Sequence, residues 1–232
     1  MNSKTPYRLS RLAFSMVELL VVICLIAMLA VASLPALTSL NRSGLVTQTA
    51  TSVASQLEQA REYAVAQNTY VWVGFYQDTA NLKMSMVIAA SNDGTDLTES
   101  SSDLGVIPNT SVSLIHRVET FKQVELKEAG DTSLRSLFDQ PPNPATNQDN
   151  ALCSNGMTFS VKIPGSTSSS PIRFTRMLQF TPNGGVRNQT GRAINLVEFG
   201  LQSKVAAQDR SSRNVVVLRI NGFTGMTQLY RP

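Results

Sequence analysis

Histidine and cysteine, which often act in catalysis and in metal binding, are rare in this sequence. The chain has a single histidine, His116, and two cysteines, Cys24 and Cys153. One histidine excludes a metal site built mainly on imidazoles, and two cysteines exclude a disulfide scaffold. His116 lies in a predicted strand at residues 114–117 without a Ser or Cys nucleophile beside it, which favours a structural or surface role. The sequence therefore predicts no enzyme activity, no cofactor and no metal centre.

The two thiols and one acidic segment are further candidates for chemistry or metal binding. Cys24 lies in an apolar run and is expected to be a buried small hydrophobe. Cys153 lies in a predicted loop, where it is either a free thiol or an intermolecular partner, and it should not bridge Cys24. Residues 93–103 could offer oxygen ligands to Ca²⁺, but they lack the carboxylate spacing of an EF-hand loop. A solvated acidic loop is the default interpretation.

Glu18 directly precedes an apolar run, residues 19–41, that contains no charged side chain. A helix of about 20 mostly apolar residues spans a bilayer core, and the basic residues within 1–13 predict a cytoplasmic N-terminal side. A carboxylate at the centre of such a helix costs about 3 kcal/mol and is usually functional. The residues alone leave three alternatives: a secretory signal cut after Ala32, a plain uncleaved anchor, and a segment with a dedicated role for Glu18.

Residues 11–22, RLAFSMVELLVV, resemble the class III signal of type IV prepilins and type II secretion pseudopilins. The shared pattern is a basic leader, a small residue, Phe, a Glu four residues later and a long apolar helix. Pro35 lies where pilin helices commonly carry a proline, and it predicts a kink. The resemblance implies that a prepilin peptidase cuts between Ala13 and Phe14 and methylates the new amine of Phe14. The family usually has Gly where this chain has Ala13.

By the same resemblance, Glu18 takes part in subunit assembly. In that family the Glu is thought to meet the N-terminal amine of a neighbouring subunit, so that each charge compensates the other. The implied partners are the prepilin peptidase, other pilin or pseudopilin subunits and the inner (cytoplasmic) membrane. The implied location is single-pass in that membrane, with the C-terminal domain on the outer or periplasmic side, in a surface or periplasmic filament after assembly.

The remaining chain divides by its periodicity. Spacing of three and four residues predicts an amphipathic helix that ends near Asn68, with one face formed by Leu45, Thr49, Val53, Leu57, Ala60 and Ala64. Alternating β-branched and aromatic residues then predict strands at 69–76, 82–90, 112–118, 121–126, 176–180, 193–201, 215–220 and 226–230. The predicted organisation is a leader at 1–13, a transmembrane and assembly helix at 14–40, its amphipathic continuation at 41–68, and a β-rich ectodomain at 69–232 with loops at 91–111 and 139–171.

The predicted fold class is therefore α+β: a long N-terminal membrane-spanning helix continues into an amphipathic helix packed on an antiparallel β-sheet domain. The outline resembles the minor pseudopilins of the H type and the Verru_Chthon cassette protein D group. The predicted function is a minor structural component of a type IV pilus or pseudopilus-like assembly. The alternative is a secreted or membrane-anchored binding module that forms no filament. A basic C-terminal portion could also bind nucleic acid or acidic glycans, through Arg173, Arg176, Arg187, Arg192, Arg210 and Arg213.

Overall fold

The computed structural model describes residues 15–96, 110–128, 159–161, 171–187, 194–204 and 214–231, without the side chains of residues 33–43. Within these ranges one helix, α1 (Met16–Ala66), is followed by strands alone. The strands are β1 (Val71–Asp78), β2 (Lys83–Ser91), β3 (Val112–Leu114), β4 (Glu119–Lys122), β5 (Val124–Glu128), β6 (Phe159–Val161), β7 (Ile172–Phe174), β8 (Arg176–Phe180), β9 (Val186–Arg187), β10 (Leu196–Ser203), β11 (Val215–Asn221) and β12 (Thr227–Tyr230). The chain forms two compact units, residues 1–42 and residues 43–232.

The prediction of a membrane-spanning helix is wrong. In the part of the chain that the structure describes, no helix has the length and apolarity that crossing a membrane requires. This finding overturns the predicted fold class and the predicted single-pass inner-membrane location, since both depended on that helix.

The helix ends at a left-handed residue. Asn68 has a φ of 49°, and the amide of Thr69 donates to the carbonyl of Ala64 at 3.0 Å. This six-to-one bond is the Schellman arrangement, which satisfies a terminal carbonyl and turns the chain away from the helix axis. The chain enters β1 directly after this cap, so that helix and sheet are joined by a short, hydrogen-bonded turn.

Two antiparallel sheets form the body of the second unit. The first has the strand order β3-β2-β1-β8-β9, with β4 also pairing with β2, and the second has the order β12-β11-β10-β5. The β1–β2 hairpin is in register from Val71 opposite Ala90 to Asp78 opposite Lys83. A separate two-stranded ribbon pairs β6 with β7. Every strand pair among the described residues is antiparallel.

One face of α1 lies in the main hydrophobic core. Its fully or almost fully buried side chains recur every three or four residues, as an amphipathic helix requires, at Val46, Ala50, Val53, Leu57, Ala60 and Ala64. The same core contains Phe75 from the first sheet and Phe199 from the second, whose ring centroids are 5.3 Å apart. Both sheets and the second half of the helix therefore share one core.

A smaller core covers the other face of the first sheet. Trp72 and Met177 are fully buried there, beside Val87 and Phe174. Successive residues of β1 point to opposite faces, so Trp72 enters this cluster while Val71, Val73 and Phe75 enter the main core. Burial on both faces explains why β1 is nearly continuously apolar.

Gln123 transfers the chain from one sheet to the other. It has a φ of 59° and separates β4, which pairs with β2, from β5, which pairs with β10. Its amide donates to the Leu82 carbonyl at 2.7 Å, and its carbonyl accepts from the Lys204 amide at 2.9 Å. The region predicted as a single strand at 121–126 is therefore two short strands.

The hairpin of β11 and β12 is fastened to α1 by side chains of the helix. Glu58 Oε1 accepts from the Thr227 amide at 2.8 Å, and Arg61 Nε donates to the Thr224 carbonyl at 2.6 Å. The two helix residues also form an ion pair at 3.5 Å. These bonds fix the turn of the hairpin, residues 222–226, against the last turns of the helix.

Candidate assembly segment

The N-terminus of α1 is capped by its own sequence. Ser15 Oγ accepts a hydrogen bond from the Val17 amide at 3.3 Å, and the Ser15 carbonyl accepts from the Leu19 amide at 3.1 Å. Ser15 is thus the N-cap, and Glu18 occupies the third helical position, where a capping box has its carboxylate. A carboxylate there is favoured by the partial positive charge of the helix N-terminus. Sequence reasoning missed this local role of Ser15, although the S-x-x-E spacing indicates it.

Residues 16–32 of α1 form the segment that we call the assembly segment. All of its side chains are exposed, including Met16 at 91% and Leu29 at 71%. Apart from Glu18 and the thiol of Cys24 the segment is apolar on every face, and a helix of this type is stable in water only when other apolar surface covers it. Covering one large aliphatic side chain fully contributes about 1.5–3 kcal/mol. The described residues of this chain therefore leave these apolar side chains uncovered.

Some of the predicted site residues lie in or beside the assembly segment, and others lie outside the described residues. Ala13 and Phe14, the predicted cleavage pair, lie outside the described residues. Glu18 lies in the first turn of α1. The helical backbone runs through Pro35, whose side chain lies outside the description, and α1 is a single element on either side of it. Cys24 is exposed, so its predicted burial is wrong; it belongs to a segment that is covered by nothing else in this chain's described residues.

His116 lies in a loop and not in a strand, because β3 ends at Leu114 and β4 begins at Glu119. The loop borders a groove of about 670 Å³ whose other wall is the exposed polar face of α1. Sequence reasoning did not bring these two regions together. Ser52 and Ser55 also line the groove, but among the described residues neither serine is hydrogen bonded to His116. The nucleophile–base bond that would mark a hydrolytic site is therefore not formed there.

The described part of the acidic segment is satisfied internally. Asp93 accepts from Thr95 Oγ1 at 2.7 Å, from the Thr95 amide at 3.0 Å and from Ser91 Oγ at 2.9 Å. These bonds lower the pKa of Asp93 from 3.8 to about 2, and the bond from the Thr95 hydroxyl has the largest effect. Within the described ranges no three His, Cys, Asp or Glu residues form a metal-binding group. Residues 97–103 of this segment, and Cys153, lie outside the description.

The described arginines of the basic C-terminal portion are engaged within the chain. Arg187 pairs with Asp96 at 3.3 Å, and its guanidinium lies 5.8 Å from the ring centre of Tyr70. Arg173 and Arg176 also have interactions within the chain. Arg192, Arg210 and Arg213 lie outside the described residues. The described arginines therefore form internal contacts, and the positive charge predicted for this portion is partly neutralised by Asp96.

Comparison with known proteins gives one similar structure. No protein-family model and no curated protein matches the chain. The chain is similar to a solved structure of the minor pseudopilin EpsH from the type 2 secretion system of Vibrio cholerae, with 14% sequence identity and a TM-score of 0.36. The similarity covers 81% of this chain and 96% of that one.

Proposed function

We propose that this chain is a prepilin-like structural subunit, processed by a prepilin peptidase and incorporated as a minor component into a type IV pilus or type II secretion pseudopilus-like assembly. The observation that carries the proposal is the assembly segment: an exposed helix, apolar on all faces, with a single carboxylate in its first turn. The occupants of this surface are the corresponding helices of other subunits, since only apolar partners match it along its whole length.

Glu18 sets the register between subunits in this proposal. Cleavage between Ala13 and Phe14 creates an ammonium group one turn before Glu18. Among the described residues no side chain pairs with the Glu18 carboxylate, so within an apolar bundle it requires a cation from elsewhere. The Phe14 amine of a neighbouring subunit supplies that cation. Separating a desolvated pair of this type costs roughly 3–5 kcal/mol, enough to reject a bundle in which the subunits are shifted along the axis.

The first experiment is intact-mass and N-terminal peptide analysis of the protein isolated from its native cell. We expect a chain that begins with N-methylated Phe14. A chain that begins at Ser33 would identify a secretory signal, and an unprocessed N-terminus would show that no peptidase recognises Ala13. Either of these results contradicts the proposal.

The second experiment tests the carboxylate. Glu18→Ala should leave the second unit folded but reduce incorporation into the assembly by at least tenfold, measured by copurification with the other subunits. Glu62→Ala is the matched control, because Glu62 is an exposed carboxylate on the same helix outside the assembly segment. Equal incorporation of the Glu18→Ala variant and the wild-type chain would contradict the assigned role.

A further inference from the structure

The groove beside His116 has one wall formed by uncharged polar side chains of α1. Ser52, Ser55, Gln56 and Gln59 form one stripe, because Ser52 lies three and four residues before Ser55 and Gln56, and Gln59 lies four and three residues after them. Hydroxyl and amide groups both donate and accept hydrogen bonds. Neither glutamine has a hydrogen bond within the described part of the chain. The helix therefore presents a row of two-way hydrogen-bonding groups to the groove.

The opposite wall is a short loop held at both ends by β2. Before it, β3 pairs with β2 up to Leu114 opposite Ala89, and the Ile115 amide donates to the Ile88 carbonyl at 3.0 Å. After it, β4 begins with Glu119 opposite Met86. His116 and Arg117 lie between these anchors with exposed side chains. Their backbone is thus positioned by a central strand, as in binding loops carried on a rigid scaffold.

Charge in the groove is balanced. Arg117 contributes one positive charge and Glu119 one negative charge, and Ser52 Oγ donates to Glu119 Oε1 at 3.4 Å across the groove. No ion pair involving Arg117 occurs in the described chain. An anion would meet the Glu119 carboxylate, and a cation would meet the Arg117 guanidinium, so neither sign of charge is favoured. A neutral ligand with many hydroxyl or amide groups can use both residues as hydrogen-bonding partners.

We propose that this groove binds a neutral oligosaccharide. Sugar hydroxyls donate and accept like the groups of the helix stripe, and the guanidinium and carboxylate of the loop provide stronger, charge-assisted hydrogen bonds. The volume of about 670 Å³ falls within the roughly 300–1,000 Å³ of small-molecule sites. Val118 is the single aliphatic side chain among the described residues of the lining. The proposal rests on the second unit and is independent of the assembly role.

His116 makes the proposal directly measurable. It is the single histidine of the chain, so one imidazole signal in an NMR spectrum of isotope-labelled histidine reports on the groove. The full chain, kept dispersed with a mild detergent, is titrated at constant pH and ionic strength with maltotriose, cellotriose and triacetylchitotriose. Inorganic phosphate and acetyl-trialanine amide are titrated in parallel. We expect a saturable shift of the His116 signal with at least one of the saccharides.

The variant Gln56→Ala/Gln59→Ala tests whether the helix stripe forms the site. Loss of one neutral hydrogen bond weakens binding about fivefold, and loss of two weakens it further. Gln48→Ala is the matched control, since Gln48 is an exposed glutamine of α1 that does not line the groove, and it should bind as the wild type does.

Three results would overturn the proposal. The first is the absence of a saturable shift with every saccharide at millimolar concentration. The second is a shift with phosphate or with the peptide alone, which would identify an anion site or a peptide site. The third is a saccharide affinity that is unchanged in the double glutamine variant. Each of these concerns the groove alone, so each is distinguishable from a failure of subunit assembly.

Discussion

Gly225 lies in the turn that fastens the β11–β12 hairpin to α1, and replacing it with alanine tests how tightly this junction is packed. Gly225 has a φ of +66°, and an added Cβ would stand 2.1 Å from the carbonyl oxygen of Gly184. Gly94 provides a matched control. Its φ is +75°, but an added Cβ would meet its nearest atom, the carbonyl oxygen of Asn68, at 3.6 Å. The two substitutions share the same backbone strain and differ in the space available.

The expected magnitudes follow from this difference. Alanine in the left-handed region costs roughly 1–2 kcal/mol, of which about 0.4–1 kcal/mol is offset by the reduced entropy of the unfolded chain. Gly94→Ala should therefore destabilise by about 1 kcal/mol. At Gly225 the hairpin must also move by most of an ångström away from a backbone atom, and overpacking of this kind adds about 1–3 kcal/mol. Weakening the bond from Arg61 to the Thr224 carbonyl adds about 1 kcal/mol more. Gly225→Ala should destabilise by about 3–5 kcal/mol.

Urea unfolding measures both values. The fluorescence of Trp72 reports on the second unit, because it is the single tryptophan of the chain and is fully buried. The free energy of unfolding is obtained by linear extrapolation from the transition, with equal slopes expected for both variants. If the two variants differ by less than about 1 kcal/mol, the close approach of Gly225 to Gly184 is not a constraint on the fold, and the reasoning fails.

Two further predictions concern charged groups. Thr95→Ala should raise the pKa of Asp93 from about 2 toward 3.8, because it removes the strongest hydrogen bond to the carboxylate. An NMR carboxyl titration checks this, with Asp78, whose pKa is lowered by Asn81, as the reference that should not move. Because the folded pKa of Asp93 is lowered, its contribution to stability is present above pH 3.8 and is lost as the pH falls toward 2. The variant should lose less stability over that interval, and an unchanged acid dependence would contradict the assignment.

The second of these predictions concerns the buried Glu198, which is 1% exposed and accepts from Arg219 Nε at 2.7 Å. Arg219→Met should destabilise by about 3 kcal/mol because it leaves a buried carboxylate without its cation, and Glu198→Gln/Arg219→Met should recover part of that loss in the same urea assay. A double variant less stable than the single one would refute this account.

The hairpins could be predicted from sequence because their signals are local. Alternating residues on both sides of a turn at 77–81 predict two strands whose ends agree with those of β1 and β2 to within two residues. The predicted strand at 176–180 coincides with β8. The pairing of β5 with β10 could not be predicted in this way. It depends on the left-handed conformation of Gln123, and a glutamine carries no sequence signal for that conformation. Gln123 marks one of the points at which the chain passes from the first sheet to the second.

The two candidate sites also differ in whether their residues are close in sequence. Glu18 and the apolar run are adjacent in sequence, so the assembly segment could be found without a structure. The groove could not, because Gln59 and Arg117 are distant in the chain and meet only through the pairing of β2 with β3 and β4. His116 by itself gave no indication of the groove, since its neighbours in sequence are not its neighbours in space.

During translation, α1 leaves the ribosome long before the hairpin that fastens to it. Arg61 is bonded to a carbonyl 163 residues further along the chain, and Glu58 to an amide 169 residues further along. Contacts between such distant residues are slow to form, and apolar surface exposed in the meantime promotes aggregation. Until residue 227 has been synthesised, the helix lacks the bonds that hold it to this hairpin. For a long part of translation, Val53 and Leu57 are therefore not yet buried by all of their native contacts. If the ribosome stalls before Thr224, the helix cannot form its hydrogen bonds to the hairpin.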